Sequence, residues 1–217
     1  MVRYLMVAMA LPFVLVQFVV AQSKPSTLPA EQEAPKAALR ALAVAMEGGD
    51  AEGIRGNLSF KGEQETRMVE AIVEYATALA SLRQVALKTY GPEGAKAIIG
   101  DVAEVSAATT KRIDQATVRQ EGDVAVVQPP QGQAMQLAKI DGKWKLPIGQ
   151  AVRSTEAGVL EENIATISAQ ARIVKECTGD MSAGKFRSSD EAWASMMSRM
   201  MRAATQPTTV PATQGSP

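Results

Sequence analysis

The spacing of apolar residues changes period twice along the chain. From 35 to about 100 it is helical. Leu39, Leu42 and Met46 share one face of a first helix, which Pro35 opens from a first-turn position and Gly48-Gly49 closes. A short helix or turn, DAEGIRGNL, follows at 50–58. The strongest helical pattern is 64–89, where Met68, Ile72, Tyr75, Leu79, Leu82 and Ala86 recur at spacings alternating between four and three. Gly91-Pro92 stops this helix, and a short one is predicted over 92–99.

From Ile113 to Ile148 the period is two. The runs IDQATVRQ, DVAVVQ, QAMQLAKI and KWKLPI are rich in Val, Ile, Thr and Trp. Glu121-Gly122-Asp123 and Asp141-Gly142 supply tight turns, and Pro129-Pro130-Gln131-Gly132 a longer one. Four strands joined by short loops predict an antiparallel meander. In KWKLPI the alternation places Trp144, Leu146 and Ile148 on one face and Lys143 and Lys145 on the other, so Trp144 is expected in the core.

Then the helical period returns. In 154–178, Leu160, Ile164, Ile167, Ala171, Val174 and Thr178 repeat the four-three alternation, with Ile173 and Cys177 widening the stripe until Gly179 and Gly184 break it. Ser188 followed by Glu191 is a capping box for a last helix reaching about 203. The predicted fold class is α+β: N-terminal helices, a four-stranded antiparallel meander, then two C-terminal helices packed on the sheet, all in one domain over 35–204.

The ends of the chain read differently. Arg3 followed by an almost unbroken apolar run to Val20 and ending at Ala21 has the form of a secretory signal, with cleavage expected after Ala21. A retained anchor is the alternative, because the apolar run approaches the length of a membrane span. Residues 22–34 read as a disordered linker and 205–217 as a disordered tail, both Pro-rich and without apolar periodicity. The expected address is therefore periplasmic or extracellular, with the membrane met only through the signal segment before cleavage.

Helices followed by a meander ending in DGKWKL (141–146) resemble the NTF2-like (cystatin-like) α+β superfamily and the small exported bacterial proteins related to it. AVAMEGGDAEGI (43–54) also resembles the phrase those domains often carry in their first helix and turn. The resemblance covers 35–148, and the long helices after the sheet depart from the family's usual ending. It implies that Asp114 or Asp123 could stand where NTF2-like enzymes use a carboxylate, in the cone between sheet and helix. Read from their own surroundings, both are solvated carboxylates at strand starts, and no catalytic residue is assigned.

Composition narrows the chemistry. The chain has no histidine, which removes His-based triads, His-containing metal sites and the usual proton carrier near neutral pH. Its single cysteine, Cys177, makes neither an internal disulfide nor a thiolate zinc site, and reads as a buried small hydrophobe. Neither GxGxxG nor a Walker loop is present. No metal or cofactor is expected. Without Arg3 the 23 basic residues fall to 22, against 23 acidic ones, and no Lys/Arg run occurs. Nucleic acid is not an expected partner.

One stretch remains unusual. WASMMSRMM (193–201) places Trp193, Met196, Met197, Met200 and Met201 on one helix. Trp193, Met197, Met200 and Ala204 would fill its buried stripe, leaving Met196 and Met201 partly exposed at the flanks. Core packing accounts for such residues, and so does an adaptable surface for a protein, peptide or lipid partner. The expected function is an exported non-catalytic binding or accessory module. The alternatives are a histidine-free carboxylate enzyme acting on a small apolar substrate and a structural envelope protein.

Overall fold

The computed structural model describes residues 29–149, 152 and 155–205. The predicted signal, residues 22–28 of the linker and the tail beyond Thr205 lie outside the described residues.

The linker predicted over 22–34 ends early, because the first helix, α1, spans Pro29–Gly48. Pro29 takes the first-turn place expected of Pro35, and Glu31, Gln32, Glu33 and Ala34 are good helix formers. Pro35 lies inside the helix, where it offers no N–H to the Glu31 carbonyl; its ring is buried in compensation. The helix closes with paired terminal bonds, Gly49 N–H to the Met46 carbonyl (3.4 Å) and Asp50 N–H to that of Ala45 (2.9 Å). Gly49 has φ +66°, and a Cβ there would lie 2.7 Å from that of Ala80, so glycine is required twice over. Asp50 then caps α2, Ala51–Asn57, by accepting from Gly53 N–H at 3.0 Å.

After a two-residue strand β1, Leu58–Ser59, comes the long helix α3, Glu63–Ile99. It breaks at Gly91 (φ +72°) before Pro92, so its two runs match the two predicted helices. Helix α4, Val102–Asp114, had no counterpart in the periodicity, which placed Ile113 and Asp114 in a strand. Asp101 caps it by accepting from Glu104 N–H at 3.0 Å, and Ile113 is its one buried residue. So thin an apolar face leaves little periodic signal; the Asp101-x-x-Glu104 spacing was the available one.

The meander forms as expected: β2 Thr117–Glu121, β3 Val124–Gln128, β4 Met135–Ile140 and β5 Lys143–Pro147, with antiparallel neighbours. Asp141 and Gly142 both have positive φ (52° and 76°), as the tight type I′ hairpin turn requires. The sheet is nevertheless five-stranded and mixed, in the order β1-β5-β4-β3-β2, because Leu58 and Ser59 pair in parallel with Leu146 and Pro147. Two residues carry no readable period, so a four-stranded antiparallel sheet was the expectation.

A second correction concerns the layers. Helix α5, Ala157–Ser182, and helix α6, Ser189–Thr205, pack chiefly on α3 rather than on the sheet. The core face of the meander is filled by Val118, Ala125, Val127, Leu137 and Trp144 together with Leu39 of α1 and Ile113 of α4. Helices α3 and α5 run side by side in the same direction. Val69 and Val73 meet Leu160 and Ile164 at one end, and Leu82 and Ala86 meet Val174 and Cys177 at the other. Ala71, Ala76, Ala78 and Ala86 of α3 are all buried, and small side chains let two helices approach closely. The ion pairs Arg67–Glu161 (2.7 Å) and Lys175–Glu74 (2.7 Å) edge the contact.

Candidate functional site

Helix α6 carries the predicted partner surface, and its position is set at the end of α5. Gly179 does not stop α5, which continues three residues further. Gly184 (φ +68°) stops it, donating to the Met181 carbonyl (3.0 Å) while Lys185 N–H donates to that of Asp180 (3.0 Å). The chain turns back, and the predicted cap of Ser188 forms, with the return bond from Glu191 one residue upstream of the cap. Ser188 Oγ accepts from Glu191 N–H at 3.2 Å, and Glu191 Oε2 accepts from Arg187 N–H at 2.8 Å.

The predicted stripe is displaced by one residue. Ala192 and Met196 are the buried positions of α6, with Trp193, Met200 and Ala203 packed half-buried around them. Met196 is 2% exposed, among Leu82, Ala95, Ile98, Cys177 and Met181. It belongs to the core and not to a surface, and Ala204, expected inside, is exposed. Met197 is half-buried, and Met201 is 66% exposed. Arg199 explains the displacement. Its guanidinium reaches Asp180 Oδ2 at 2.6 Å and Glu176 Oε2 at 3.7 Å, both on α5. A helix whose Arg199 faces its neighbour must carry Ala192, Met196 and Ala203 inward with it, at spacings of four, three and four. Treating arginine as an outward residue turns the helix the wrong way.

Asp180 is the centre of this clamp. Lys185 (2.7 Å) and Arg199 donate to its carboxylate, and together they hold it below the usual aspartate range. Arg172, Glu176, Arg199 and Arg202 border an open groove of about 320 Å³ over Ile173 and Ala203. The sequence reading missed this groove because its charges are shared between two helices; Arg199 and Arg202, three apart, were the signal available. Cys177 beneath it is buried, and burial pushes its thiol up, as expected for a packed rather than a reactive cysteine.

Both carboxylates singled out by resemblance are exposed. Asp114 closes α4 instead of starting a strand. It accepts from Arg40 Nε at 2.8 Å, while its carbonyl takes Lys36 Nζ at 2.8 Å. Asp123 is exposed in the β2–β3 turn. A second open groove, of about 200 Å³, lies at the start of α3 beside Lys61, Glu65 and Val152. Among the described residues no three carboxylate or cysteine side chains group as they would around a metal ion, and no helix is long and apolar enough to cross a membrane.

No known protein family, no curated protein and no solved structure matches this chain.

Proposed function

We propose that the chain is an exported, non-catalytic binding or accessory module, cleaved after Ala21, that engages a protein, peptide or lipid partner through the outer side of α6. The observation that carries this reading is the position of Met201. It is largely exposed while Trp193, Met197 and Met200, one turn apart along the same helix, are only half-buried. Unbranched thioethers beside an aromatic ring make a surface that adapts to an apolar partner. Met196 is no part of it.

A relationship to the NTF2-like superfamily belongs to the same proposal. It is supported by α1 lying across the core face of a meander that closes in DGKWKL. The carboxylate-enzyme alternative would need an acid in an apolar pocket. The outward settings of Asp114 and Asp123 favour the binding module over it.

The test is a photo-crosslinking amino acid placed at position 201, with position 143 on the exposed hairpin as control, in cells that export the protein. The binding reading expects one reproducible adduct from 201, none from 143, and a mature chain beginning at Gln22. No adduct from 201 would leave the chain a structural envelope protein.

A further inference from the structure

Among the described residues strand β2 is an edge of the sheet, with β3 on one side and no strand on the other. Which of its backbone groups are free follows from a single bond. Lys139 N–H donates to the Asp123 carbonyl (2.7 Å), so odd-numbered residues of β3 face β4 and even-numbered ones face β2. The register Thr117↔Gln128, Arg119↔Val126, Glu121↔Val124 then turns the odd residues of β2 inward. The N–H and C=O groups of Val118 and Gln120 are left on the open edge.

Side chains alternate the other way. Thr117, Arg119 and Glu121 stand on the exposed face, while Val118 is buried and Gln120 half-buried on the core face. Gln120 Oε1 is sealed from solvent and accepts no hydrogen bond from any described residue.

We propose that β2 pairs antiparallel with β2 of a second copy of this chain, about a two-fold axis at Gln120, joining the two sheets into one. Only residues with outward backbone groups can be bonded partners, so the axis falls at Val118, Arg119 or Gln120. An axis at Arg119 sets two arginines face to face, and one at Val118 gives neither charge a partner. At Gln120, Arg119 of each copy lies directly opposite Glu121 of the other. Those pairs are non-hydrogen-bonded, the closer kind, where side chains interact most. The two Gln120 residues exchange both backbone bonds, and each amide, whose Nε2 donates to the Gly122 carbonyl at 3.4 Å, can turn to donate to the other's Oε1. The charges that could have guarded the edge thus complement themselves across it. About this axis only residues 119–121 of the two five-residue strands lie opposite each other, so association is weak and reversible.

Sedimentation equilibrium of the purified protein, up to about 1 mM, tests this. The native protein should dimerise. R119E and E121R should each weaken association about tenfold, since each replaces two opposed ion pairs with like charges. The double swap R119E/E121R should restore it. So should a 1:1 mixture of the two single variants, because the two acidic side chains of one then stand opposite the two basic side chains of the other. Both positions are exposed, and circular dichroism should confirm native folding in every variant. In parallel, Q120C should form an intermolecular disulfide under mild oxidation, its Cα atoms lying within bonding range across the axis. A monomer at every concentration, or a dimer indifferent to both reversals, would overturn the proposal.

Discussion

Replacing Trp144 with alanine should destabilise the protein by about 3–5 kcal/mol. The ring is 8% exposed, in a cluster with Leu39, Ile113, Val118, Val127 and Leu137, so three separate parts of the chain lose contacts at once. Collapse into the space is restricted, because Trp144 sits on a central strand held by β4 on one side and β1 on the other. Urea unfolding followed by circular dichroism reads the effect as a lower midpoint with an unchanged slope. A loss below about 1 kcal/mol, the size of ordinary surface changes, would place Trp144 at the surface and make it available to a ligand.

Met196→Ala should cost about 2–5 kcal/mol, while Met201→Ala should fall within about 0.5 kcal/mol of the native protein. The two methionines lie five positions apart, and the sequence alone treated them alike. Met196 fills space between α3 and α5 against Leu82, Ile98 and Met181. Met201 points away from that contact. The pair of variants, measured by the same unfolding experiment, therefore reports the rotation of α6. Equal costs would return the helix to the orientation its apolar pattern suggested.

That rotation also shows where the amino-acid pattern stops being informative. Periodicity located the two runs of α3, the meander and its Asp141-Gly142 turn, because each has many apolar residues on one side and turn residues with one backbone requirement. It placed Trp144 inside for the same reason. The fifth strand escaped notice because Leu58 and Ser59 gain their meaning only from pairing with β5, 88 positions away in the register Leu58↔Leu146. Helix α4 escaped because a single residue, Ile113, anchors it. Which layer α5 would cover depended on how fully α1 and α4 had already covered the sheet, and no local spacing records that. At the candidate surface, the deciding contact was Arg199 with Asp180, a tertiary ion pair between residues of two helices.

Where the protein works, the proposed partner covers the outer side of α6, represented by Met201. Exposed thioethers oxidise readily and buried ones do not. Mild peroxide treatment, read by peptide mass, should oxidise Met201 of the purified protein first and leave Met196 and Met181 protected. In intact exporting cells, Met201 should be protected as well, while Met196 and Met181 stay as they were. Equal oxidation of Met201 in purified protein and in cells would mean that no partner covers α6.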